Sequence, residues 1–91
     1  MQNVLSFTVN KKKYVSNQFD FETFCRINEN HLNEEKRSIY SICADAVVYM
    51  FRGTEATEDI LSNLDVAECG KLCLSLWKMY VAALEEISKN E

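Results

Sequence analysis

The strongest constraint on how this chain folds lies near its C-terminal end, in residues 65–88. Val66, Cys69, Cys73, Trp77, Tyr80, Leu84 and Ile87 recur there by steps of three and four, the spacing of one face of an α-helix. Leu72, Leu74, Leu76, Met79, Val81 and Ala83 spread apolar surface well outside that stripe. A helix that is apolar nearly all round has to be covered on more than one side. The chain has 91 residues, enough to close one hydrophobic core and too few for two. Either the rest of the chain wraps this helix, or part of its surface meets a second chain. Leu74, Trp77, Met79, Tyr80 and Val81 are the candidate protein interface, because aromatic and Met side chains supply much of the energy of protein contacts.

The segments that must do the covering can be read from their periods. Asp65 is placed to cap the long helix, and Thr57 to cap a short one over residues 57–63. Upstream, Ile39, Ile42, Cys43, Ala46, Tyr49 and Met50 form another helical stripe, broadened by Val47, Val48 and Phe51. With Asn33 as a cap before Glu34 and Glu35, this pattern predicts a central helix over residues 34–52, ended by Gly53 in a left-handed conformation. Asp20 ahead of Phe21, Phe24 and Cys25 predicts a helix over residues 20–30, with the polar run 28–33 breaking the pattern and His31 in a loop.

The first residues follow a different period. Leu5, Phe7 and Val9 alternate with Ser6 and Thr8, the pattern of a strand with one buried face. Asn10 with Lys11, Lys12 and Lys13 supplies turn chemistry, and Tyr14, Val15 and Ser16 return, which makes a β-hairpin within residues 1–18. A lone hairpin is marginal in water, so this one must lay its apolar face on the helices. The expected fold is α+β and predominantly helical, an N-terminal β-hairpin packed on a three- to four-helix bundle. With no proline, two glycines and no repeat, residues 1–91 read as a single domain.

Charge and composition narrow the function. Fourteen acidic against ten basic side chains give a net charge of -4, which opposes the phosphate attraction that nucleic-acid binding rests on. The three lysines read as a solvated turn. No window approaches the ~20 apolar residues needed to span a bilayer, and residues 1–7 lack the basic start and apolar run of a secretory signal. These readings imply a cytoplasmic protein without nucleic-acid or membrane partners, in which Cys25, Cys43, Cys69 and Cys73 stay reduced.

The chemistry-bearing side chains do not assemble into a catalytic pattern. Cys69 and Cys73 sit one helical turn apart, but a zinc site wants four ligands and the chain has one histidine. Cys25 and Cys43 lie within apolar stripes, where cysteine behaves as a small hydrophobe. His31 has no orienting partner or oxyanion-hole motif with it. Glu55, Glu58, Asp59, Asp65 and Glu68 coincide with two predicted helix starts, where the helix dipole stabilises acids, and lack the spacing and central glycine of a calcium loop. Asp45, set in an apolar run, reads as pointing to solvent, with a polar contact as the other reading. Two glycines cannot build a phosphate cradle. The expectation is a protein that is not an enzyme, with no cofactor and no metal.

The order of elements also carries a resemblance. A strand through Phe7, Thr8 and Val9, a lysine-rich turn, the return at Tyr14, and then Phe19, Asp20, Phe21 and Phe24 opening a helix resemble the small tail assembly chaperones of siphophages and prophages in Gram-positive bacteria. The likeness covers the layout of the whole chain without an invariant motif. It implies a cytoplasmic chaperone that coats the tape-measure protein during tail assembly, with members that often self-associate, and it brings no catalytic residues. The alternative is a homodimeric structural or regulatory adaptor of a prophage or mobile element, using the same helix.

Overall fold

The side-chain patterns above become six elements in a computed structural model, which describes residues 3–90. Strands β1 (Ser6–Val9) and β2 (Lys12–Val15) are followed by helices α1 (Phe21–Leu32), α2 (Ile39–Met50), α3 (Glu58–Ser62) and α4 (Val66–Lys89). The fold is α+β and mainly helical, an antiparallel hairpin followed by four helices.

The hairpin is tighter than its lysines suggest. Phe7 pairs with Tyr14 and Val9 with Lys12, which leaves only Asn10 and Lys11 in the turn. Both have positive φ, 50° and 67°, the conformation of a two-residue turn whose twist matches that of the flanking strands. Lys12 and Lys13 are therefore strand residues, not turn residues, although all three lysines are exposed. Leu5 and Phe7 are buried, and the Phe7 ring stacks on Tyr14 at 5.1 Å and meets Phe51 edge-on at 5.3 Å. Asn17 fastens this unit to the end of α2, its side-chain amide donating to the carbonyls of Met50 (3.1 Å) and Arg52 (2.7 Å). These bonds satisfy carbonyls that the helix end leaves without partners.

Helix α1 begins where Asp20 accepts from the Thr23 amide and continues through His31 to Leu32, past the polar residues expected to stop it. His31 is thus on a helix, not in a loop. Asn28 and Asn30 cost some helix propensity there, and the tertiary hydrogen bonds they make to α4 and α2 offset it.

Helix α2 starts at Ile39, five residues later than the acidic pair suggested. Asn33 uses its side chain on the Glu35 amide, closing a local turn, and Ser38 and Ser41 form a reciprocal capping box. The charged residues 34–37 offer no apolar face to bury, so they stay outside the helix. Gly53 has φ +70°, and the chain leaves α2 through a turn over residues 51–53.

The core lies between α2 and α4, with Phe7 and Leu5 at one end. Ile27, Cys43, Ala46, Met50, Leu76 and Tyr80 are each 0% exposed. A helix of 24 residues is about 36 Å long, and the molecule measures 45 × 29 × 20 Å. The end of α4 accordingly runs past the body, and every residue from 85 to 90 is exposed.

Candidate functional site

Within α4 the buried stripe consists of Leu72, Cys73, Leu76 and Tyr80. Tyr80 therefore leaves the candidate interface: it is fully enclosed, and its hydroxyl donates to Asn28 Oδ1 at 2.7 Å. Burial pushes its pKa up. Among the other candidates, Leu74, Trp77 and Val81 follow one another by three and four residues and share a face beside the buried stripe. Met79 is two residues from Trp77, about 200° round the helix, and packs on the opposite flank. The expected five-residue surface is thus a face of three, with Leu74 39% exposed and Trp77 and Val81 half-buried.

That face is continuous with rings from α1. His31 meets Trp77 edge-on at 5.3 Å, Trp77 lies 5.2 Å from Tyr80, Tyr80 lies 5.1 Å from Phe24, and Phe24 stacks on Phe21 at 6.0 Å. The ladder runs from an enclosed centre to Phe21, which is 75% exposed, and Leu32 beside its other end is 72% exposed. Sequence periodicity does not single out Phe21, which fits the helical apolar spacing, or Leu32, which falls in the polar run expected to lie beyond the helix. A shallow depression of about 390 Å³ at Trp77, Val81 and Ala82 is flanked by Lys78 and Glu85. Val15, Tyr40, Val48, Val66 and Ile87 are exposed as well, so what distinguishes the Trp77 face is its contact with the rings of α1 and not exposure alone.

The other sequence-nominated groups are placed apart. Cys43 is enclosed, and burial together with nearby Cys73 pushes its thiol up to about 12. Burial likewise raises the pKa of Cys73. Such thiols stay protonated at neutral pH and are poor nucleophiles. Cys25 and Cys69 are half-buried. Asp45 is exposed and also makes a polar contact, accepting from Asn30 Nδ2 at 2.7 Å, so both readings of it hold together. Asp65 and Thr57 cap α4 and α3, and Glu55 pairs with Lys12, which holds the Glu55 carboxyl below its ordinary value. Among the described residues, no group of three His, Cys, Asp or Glu side chains is placed to hold a metal ion. Nor, among the described residues, is any helix long and apolar enough to cross a membrane.

A feature absent from the sequence reading is the stack at Tyr49. The guanidinium groups of Arg26 and Arg52 each lie 3.9 Å from the centre of its ring, and its hydroxyl donates to Glu22 at 2.7 Å. Arg52 also reaches Asp20 Oδ2 at 3.1 Å, so these cations are already engaged by the protein's own acids. No local spacing could reveal the group, since it joins α1 to the end of α2.

A scan against protein-family models and searches of curated proteins and of solved structures find no match for this chain.

Proposed function

We propose that this chain is a non-catalytic protein-binding protein that holds amphipathic helices of a longer client, in the manner of the phage tail assembly chaperones its sequence resembles. The carrying observation is the surface of Leu74, Trp77 and Val81, joined through a chain of neighbouring rings to the exposed Phe21. Apolar area left at the surface has a favourable partner in the apolar stripe of another helix, which lies along such a face with contacts spaced three and four residues apart. The client suggested by the resemblance is a tape-measure protein.

Co-expression with a tape-measure protein tests this reading. The wild-type chain should raise the client's soluble yield and co-purify with it, and the double substitution Leu74→Asp, Val81→Asp should abolish both effects while leaving circular dichroism unchanged. A client that stays insoluble with the wild-type chain, or that binds the double variant equally well, would overturn the proposal. Light scattering addresses the homodimeric adaptor: a dimer that persists on dilution and shields Trp77 from quenching would leave no such face for a client.

A further inference from the structure

Helices α2 and α3 and the N-terminal half of α4 enclose a separate open groove of about 470 Å³. Its base is apolar: Leu61 and Leu72 are buried there, at 8% and 3% exposed. Its walls rise through Val48, which is 38% exposed, and the half-buried Leu64 and Cys69. The rim differs in chemistry. Asp45 and Glu58 both line the groove and no Lys or Arg does. The adjoining depression, which shares Asp45, Val48, Glu58 and Leu61, also reaches Arg26 and Arg52, whose guanidinium groups are paired with Glu22 and Asp20. The elements that form the groove also carry Asp59, Asp65 and Glu68, and the lone base on that half of α4, Lys71, is not part of the lining. None of the groove's five acids takes part in the ion pairs found among the described residues. An apolar trough edged by unneutralised carboxylates favours a ligand with apolar groups on one face and cations along its flanks.

We propose that this groove is a second docking site, and that its occupant is an amphipathic helix of another protein with leucine-like side chains on one face and Lys or Arg beside them. Charge selects this occupant over a second copy of the chain. Helices α2 and α3 contain no basic residue, and the chain as a whole carries a net charge of -4, so a copy approaching the rim is repelled. The groove shares no residue with the Leu74, Trp77 and Val81 face, so either surface can fail without the other.

The test uses the full chain and three synthetic helical peptides about 16 residues long. One has a Leu stripe flanked by Lys, the second has the same stripe flanked by Glu, and the third is the Lys peptide scrambled to remove the stripe. Binding is followed by backbone amide shifts and by alkylation of Cys69. The Lys peptide should shift amides at Val48, Leu64 and Cys69 and slow alkylation of Cys69, leaving Cys25 unchanged. The Glu peptide and the scrambled peptide should each bind at least about fivefold more weakly. Val48→Asn should weaken the Lys peptide, and Asp45→Lys with Glu58→Lys should transfer preference to the Glu peptide.

Equal binding of the Lys and Glu peptides, equal binding of the scrambled peptide, shifts centred on Trp77 and Val81, or no binding at all would each overturn the proposal. The peptide comparison decides the matter even if a substituted chain does not fold. Undiminished tape-measure binding by the Leu74 and Val81 double variant, with the Lys peptide still held in this groove, would defeat only the earlier reading.

Discussion

Tyr80 on α4 donates its phenolic proton to Oδ1 of Asn28 on α1, 2.7 Å away and 52 residues earlier in the chain. The bond ties the two helices together within the aromatic ladder and gives the one polar atom of a fully enclosed ring its partner. Replacing Tyr80 by Phe removes the donor, deprives Asn28 of this bond and should lower stability by about 1–2 kcal/mol in urea titrations. The wild-type phenol has a raised folded pKa, so its contribution is fully present below the unfolded value and declines as pH climbs toward the folded one. Tyr80→Phe should therefore flatten part of the alkaline loss of stability.

Asp20 gives the opposite sign. Its carboxylate accepts from the Thr23 hydroxyl and amide and lies against Arg52, which holds its pKa below the ordinary value of 3.8. The unfolded chain takes up this proton first as acid is added, so the contribution is present above pH 3.8 and lost as pH falls through the folded value. Asp20→Asn keeps a capping oxygen and should remove that part of the acid dependence, whereas Asp20→Ala should cost about 1 kcal/mol at neutral pH. Urea titrations between neutral and acid pH separate the two.

Lys11 occupies φ 67° in the hairpin turn, a conformation that costs a residue with a Cβ about 1–2 kcal/mol. Lys11→Gly makes the turn Asn-Gly. Part of the gain is offset by the greater freedom of glycine in the unfolded chain, leaving an expected stabilisation of about 0.5–1 kcal/mol. A thermal melt that moves down would show that the turn holds another geometry in solution.

Two phenylalanines should behave in opposite ways. Phe51 is 1% exposed and meets Phe7 edge-on, so Phe51→Ala should cost about 3–5 kcal/mol, a large share of the stability of a domain this size. Phe21 is 75% exposed, and Phe21→Ser should alter stability by less than about 0.5 kcal/mol while weakening client binding. Chemical denaturation beside the co-purification assay checks both.

Thiol accessibility offers an independent reading of the core. Cys25 and Cys69 should react with iodoacetamide in the folded protein well before Cys43 and Cys73, which are 0% and 7% exposed. Mass spectrometry of the partly labelled chain gives the order. Early labelling of Cys43 would contradict the packing of α2 on α4.

Local chemistry by itself determined the hairpin, the starts of α1, α3 and α4, and most of the buried stripe of α2, from which Ile39 and Tyr49 are only half-buried and Val48 is exposed. Each rests on groups within a few residues of one another: the alternation at Leu5 and Phe7, and the carboxylates or hydroxyl of Asp20, Thr57 and Asp65 ahead of free amides. The start of α2 was ambiguous at that level, since Asn33 before two acids imitates a cap. The capping box at Ser38 and Ser41 is not legible locally because a serine stands at the third helical position in place of the usual Glu or Gln.

Only the tertiary structure decided which apolar groups of α4 lie inside. Periodicity places Tyr80, Trp77 and Leu74 around one helix, but not the direction from which α1 and α2 approach it. That approach encloses Tyr80, half-covers Trp77 and leaves Leu74 and Phe21 at the surface. It also creates the Tyr49 stack and the acid-rimmed groove. The physical reason is range: caps and turns are set by neighbours along the chain, whereas burial is set by elements that meet only once the chain has folded.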